Sequence, residues 1–224
     1  MRREKKEFDL HRAGKIPEWD LCAPEERNLA QRVAAKTKGV VTPGNILTVG
    51  GGALFLGGLY EFSQGKKALG FGMMFAGGIA DWVDGKAAAW SKTKSALGEA
   101  LDASFDKIKM GAALLVLGTT EVVPVLPAVL VGAQNVANIA LTGIAKSRGN
   151  EIHPDKVNKF NAAAQGFGLG ALVLADVISP GIAQTTAEII GYAGTVGGTA
   201  ILGSQATKHL YDYAFNPQQP AEAA

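Results

Sequence analysis

Three stretches of the chain, 39–60, 122–145 and 189–207, carry no charged side chain. Runs of that length predict helices able to cross a bilayer, which takes about 20 apolar residues. Further apolar, Gly-rich segments lie between them, with their polar residues gathered at the edges. The spans expected are 45–61, 68 into Asp84, a third from Ser95 that turns wholly apolar after Lys109, then 124–145, 160–178 and 184–207. The pattern therefore predicts an all-α integral membrane bundle of about six transmembrane helices.

Residues 1–41 break that pattern, being polar and mixed in charge. Leu29, Val33 and Ala34 form a stripe that suits a short amphipathic helix at the membrane interface, and an ordinary solvated helix fits the same residues. Pro43-Gly44 closes this segment, and Thr42 or Asn45 can cap the helix that follows. The organisation expected is a cytoplasmic N-terminal segment over 1–41, a transmembrane domain over 42–209 and a polar tail over 210–224, with NPQQPAEAA read as disordered. The glycine clusters at 50–52 and 57–58 lack the Lys-Ser/Thr that a phosphate loop requires, so they read as small residues for close helix packing in lipid.

Composition moderates this picture without reversing it. The mean hydropathy is only +0.13 because the charged N terminus, the Asp-rich centre and the tail dilute the apolar spans. The formal charge of +2 gives no reason to expect nucleic acid. Cys22 is the only cysteine and forms no internal disulfide, and MRREKKEFDLHRAGKIPEWD has no apolar run of a secretory signal behind its basic residues. Twenty of the 22 Lys and Arg fall in the N terminus, the tail and alternate loops, which predicts that these sides, both termini and the Asp-rich stretch face the cytoplasm.

That stretch, Asp81 to Asp106, holds the candidate chemistry. Asp81 and Asp84 stand at i,i+3 and Asp102 and Asp106 at i,i+4, so each pair projects from one helix face. Carboxylates at the edge of hydrocarbon are costly and mark a functional site by default. Four of them together repel unless cations sit among them, and all-oxygen ligation suits Mg²⁺ or Mn²⁺. A purely structural reading has them capping helices and pairing with Lys107 and Lys109. His11, His153 and His209 are scattered and make no metal spacing.

Written as a pattern, the stretch is D-x2-D-G-x2-A-x9-G-x3-D-x3-D, met by Asp81, Asp84, Gly85, Ala88, Gly98, Asp102 and Asp106. This resembles the signature of the CDP-alcohol phosphotransferases, integral membrane enzymes of phospholipid biosynthesis, with every spacing in agreement. Thr42-Pro43-Gly44-Asn45-Ile46-Leu47-Thr48 is similar to the family's entry to its first span, and Lys159 with Gln165 to the opening of a later span in phosphatidylglycerophosphate synthases. The family has Arg after the motif alanine, expected to help organise the nucleotide-phosphate end, where this chain has Ala89. Lys86, on the same short segment, is the candidate for a compensating charge. In the later span Asn161 and Ala162 stand where those synthases have Lys and Thr.

The resemblance implies transfer of a phosphatidyl group from CDP-diacylglycerol to a polar alcohol with release of CMP, and two divalent ions, Mg²⁺ or Mn²⁺. It implies Asp81, Asp84, Asp102 and Asp106 as metal ligands, Asp106 as general base, and Gly85, Ala88 and Gly98 around the CDP moiety. Lys146, Arg148 and Lys159 are acceptor-phosphate candidates, suited to glycerol 3-phosphate or inositol phosphate, and they serve equally as positive-inside anchors. A homodimer in a bacterial cytoplasmic membrane is expected. Two other readings compete: a degenerate member that binds metal and CDP-lipid without turnover, suggested by Ala89, and a divalent-cation transporter.

Overall fold

The computed structural model describes residues 17–148, 156–178 and 180–215, with backbone alone at 146, 156–159, 209 and 213. The described residues are helical and contain no strand. After a 3-10 turn at Glu18–Leu21 come α1 (Leu29–Lys36), α2 (Pro43–Ser63), α3 (Lys67–Ser91), α4 (Ala96–Thr119), α5 (Val125–Ser147) and α6 (Lys156–Val177). A last helical run joins α7 (Ile182–Tyr192), a π-helical stretch (Ala193–Gly203) and α8 (Ser204–Phe215). Helix α8 thus reaches into the segment expected to be tail. Residues 1–16, His153 and the last nine residues, with the disorder expected of them, fall outside the described residues.

Among the described residues, three helices are long and apolar enough to cross a membrane: Pro43–Ser63, Val125–Ala145 and Phe160–Val177. They fit the membrane helical bundle that the charge-free runs predict. Helix α3, at 25 residues, is long enough to span about 37 Å, but it carries the first aspartates and two lysines, Lys67 and Lys86. The chain divides into two compact units, 1–113 and 114–224.

In the first unit the N-terminal segment forms α1 through a capping box. The Asn28 side chain accepts from the Gln31 amide while the Gln31 side chain accepts from that of Asn28. Gln31 and Ala34 are buried against the protein, while of the expected stripe Val33 is half-buried and Leu29 exposed. Thr42 caps α2, its Oγ accepting from the Asn45 amide at 3.1 Å. Asn45 is buried, and its side-chain amide donates to the carbonyls of Gly39 and Val40 instead.

Helices α2 and α3 pack as an antiparallel pair whose contact points are glycines seven residues apart. A methyl group on Gly58 would come within 2.7 Å of the Gly70 carbonyl oxygen, and one on Gly77 within 2.6 Å of that of Gly51. The third rung sets Gly44 against Ala88 and the Asp84 carbonyl. Bare backbone is what permits this approach. The register therefore carries Asp84 to the first turn of α2. Phe105 fills the space over Gly52, which seats α4 against α2.

In the second unit Gly168 of α6 lies against the Gly191–Thr195 backbone, and Gly191 against Leu172. A buried polar network joins the helices here. The side-chain amide of Gln165 donates to Gln134 of α5 and, at 3.0 Å, to Thr199, while Asn135 donates to its carbonyl oxygen at 3.3 Å. The Gln165 amide is satisfied within the bundle, as a low-dielectric interior demands, whereas the Gln134 side-chain nitrogen is buried without a hydrogen-bond partner.

Candidate active site

Two helices of the first unit supply the carboxylates, Asp81 and Asp84 from α3 and Asp102 and Asp106 from α4. Asp81, Asp102 and Asp106 each offer a carboxylate oxygen within 4.8 Å of the others. Asp84 does not join this group. Three residues of helix turn 300°, which leaves Asp84 about 60° from Asp81 around α3, enough to face a different neighbour. It is 6% exposed and accepts a hydrogen bond of 2.5 Å from the Thr48 hydroxyl of α2. Thr48 in turn is the next position on α2 after the Gly44 rung, one turn along.

Lys109, one turn beyond Asp106 on α4, reaches into the carboxylate group. Its ammonium pairs with Asp81 and, at 3.0 Å, with Asp106. The pairing predicted for Lys109 by the purely structural reading is present, and it coexists with the clustering of carboxylates. Three acids drawn around one lysine keep a net negative charge. With oxygen donors only, that set fits a hard divalent cation.

Beside the carboxylates opens a cavity of about 360 Å³, lined by Gly44, Asn45, Thr48, Asp84, Gly85, Ala88, Thr93, Lys94, Ser95, Gly98, Glu99 and Asp102. Its volume is in the range of small-ligand sites. Gly85, Ala88 and Gly98 line it together, although Gly98 lies in the first turn of α4 and the other two near the end of α3. A methyl group on Gly85 would meet nothing within 4 Å, so the space in front of it is open cavity. One on Gly98 would meet the Asn45 side chain at 2.9 Å. The two motif glycines thus differ in what they make room for.

Other expected positions lie elsewhere. The Lys86 ammonium sits 3.2 Å above the Trp82 ring, a cation–π contact, and the residue does not line the cavity. It does not replace the motif arginine there. Arg148, in the second unit, donates to the Ala214 carbonyl at 2.7 Å and lies over the Phe215 ring. The side chains of Lys146 and Lys159 fall outside the described residues. Sequence reasoning overlooked Thr48, Thr93, Lys94 and Glu99. For Thr48 two signals stand in the chain, the family-like entry Thr42 to Thr48 that it closes and the seven-residue glycine spacing that puts it opposite Asp84.

A family model described as CDP-alcohol phosphatidyltransferase matches residues 41–198. The chain belongs to that family. The matched span starts one residue before the Thr42 cap and contains all four aspartates and the whole cavity lining. Members of the CDP-alcohol phosphatidyltransferase family transfer a phosphatidyl group from a CDP-linked donor to an alcohol, are integral to membranes and generally depend on divalent metal. No curated protein and no solved structure gives a significant match.

Proposed function

We propose that this family member transfers the phosphatidyl group of CDP-diacylglycerol to a polar alcohol and releases CMP. The observation that carries the reading is the junction of the carboxylate group with the glycine-lined cavity. Asp102 and its neighbour Asp84 line the cavity, and Asp102 also belongs to the group with Asp81 and Asp106.

In this reading the nucleotide lies against Gly85, Ala88 and Gly98, with its diphosphate toward the aspartates. Asp81, Asp84, Asp102 and Asp106 would hold two divalent ions, Mg²⁺ or Mn²⁺, which when bound neutralise the charge of the diphosphate and of departing CMP. Thr48 orients the Asp84 carboxylate by its hydrogen bond. Asp106, the most exposed of the group, takes the proton of the acceptor hydroxyl. The freed oxygen bonds to the phosphorus that carries diacylglycerol as the bond from that phosphorus to the CMP oxygen breaks, and CMP leaves with the electron pair. Lys109, paired with Asp106 and Asp81, holds both carboxylates toward the reacting groups.

The acceptor best suited to Lys146, Arg148 and Lys159 carries its own phosphate, such as glycerol 3-phosphate or inositol phosphate. The distribution of Lys and Arg supports a site facing the cytoplasm of a bacterial membrane, and the Gly-rich helices permit a homodimer. The test is CMP release from CDP-diacylglycerol by the purified protein with Mg²⁺ or Mn²⁺ and a panel of alcohols. Release that falls at least a hundredfold in Asp106→Asn, in line with loss of a general base, is expected. Binding of CDP-lipid without CMP from any acceptor would make the chain a degenerate binder, the reading that Ala89 favours. Metal flux into liposomes without CDP-lipid would make it a transporter.

A further inference from the structure

A diphosphate entering the cavity meets a negative wall, for Asp84, Glu99 and Asp102 all line it. Metal at the aspartates offsets part of this charge, and by the family pattern an arginine after the motif alanine supplies more. Here Ala89 stands in that place and does not line the cavity. Lys86 rests on Trp82, and Lys109 is held by Asp81 and Asp106. Lys94 alone among the described lysines and arginines lines the cavity, and its ammonium takes part in no ion pair among the described residues.

The segment that presents Lys94 is held firmly. Lys92, at φ +53°, ends α3 in the left-handed conformation. Thr93 is buried and its hydroxyl is 2.7 Å from that of Ser91. Ser95 caps α4 by accepting from the Gly98 amide at 3.1 Å. The N-terminal segment closes over this loop from outside. Asn28 donates to the Ser91 carbonyl at 3.3 Å, Gln31 to that of Lys92 at 3.4 Å, and the Glu18 carboxylate accepts from the Lys94 amide at 3.2 Å. The backbone of Lys94 is therefore fixed while its side chain stays exposed and available.

We propose that Lys94 is a diphosphate-binding residue, supplying from the α3–α4 loop the positive charge that the family places after the motif alanine. The clamp from Glu18, Asn28 and Gln31 positions it. An ammonium suits this task as a compact charge with three donors that can follow either phosphate. The inference rests on the CDP-linked donor proposed above.

The experiment measures affinity for CDP, and for cytidine by displacement, on the full-length protein in detergent with Mg²⁺ and with Mn²⁺. Lys94→Met is expected to weaken CDP about tenfold, the size of one charge-assisted contact, and to leave cytidine unchanged. Lys94→Arg is expected to stay within about threefold of the parent, and Ala89→Arg added to Lys94→Met to recover part of the loss. Thermal melting of each variant separates misfolding from lost contact, and Lys94→Gln repeats the test should Lys94→Met melt early. Equal CDP affinity in the parent, Lys94→Met and Lys94→Gln would overturn the role of Lys94 and leave the donor reading intact. So would a loss that Lys94→Arg shares. A parent protein that binds no CDP with either metal would overturn the donor reading, and the role of Lys94 with it.

Discussion

At the scale of single residues, the site separates positions that look alike in the chain. Asp81 and Asp84 are one helical turn apart, yet one joins Asp102 and Asp106 and the other is held by Thr48. The motif's spacing picked out the four aspartates; it did not tell that 60° of helix rotation sends the second of them into the cavity. Gly85 and Gly98 differ in the same way. Gly85→Ala puts a methyl group into open space, so the protein should fold with an unchanged melting temperature and lose affinity for CDP. Gly98→Ala pushes on Asn45, whose amide ties Gly39 and Val40, so it should lower the melting temperature as well. Calorimetry and CDP binding on the two variants check the contrast. Lys86 and Lys94 make the same point for charge. Both are near Ala89 in the chain, and only the turn of the loop decides that Lys94 reaches the cavity.

At the scale of helices, the apolar runs foretold where helices lie and the glycines foretold close packing. What stayed hidden was the pairing of particular rungs, because glycine has no side chain whose chemistry names its partner. The rungs Gly58 with Gly70 and Gly51 with Gly77 allow a sharp expectation. Gly77→Ala drives a methyl group to within 2.6 Å of the Gly51 carbonyl, which backbone cannot yield easily. A loss of about 1–3 kcal/mol in stability is expected from such overpacking, with CDP binding reduced because Asp84 shifts from Thr48. Gly72→Ala on the same helix meets nothing within 4 Å and should be silent. Denaturation of both variants in detergent tests the ladder. In helix α1 the capping box and the Gln31 contacts, which apolar periodicity does not show, fix the face that packs on the protein.

At the scale of the whole chain, the bias of Lys and Arg gives an orientation that the single cysteine can report. Cys22 lies in the N-terminal segment, partly exposed and unpaired. In intact cells a membrane-impermeant maleimide should leave Cys22 unlabelled, and after permeabilisation it should react. Labelling of intact cells would place the N terminus, and with it the clamp on Lys94, on the outer side. The acceptor was the least legible part of the molecule, since basic residues at helix ends serve orientation and ligand binding alike.

The glycine ladder also bears on motion. Two helices whose backbones touch at three rungs, with Phe55, Phe62 and Met74 packed beside those rungs, have little room to slide or roll without collision. Asp81 and Asp84 ride on that immobile pair. Helix α4 is seated differently, through the ring of Phe105 over Gly52, a contact that can adjust by rotamer. Any opening and closing of the site is therefore expected to be carried by α4, with Asp102 and Asp106, while the α2–α3 distance stays constant; distances between spin labels on the three helices check it.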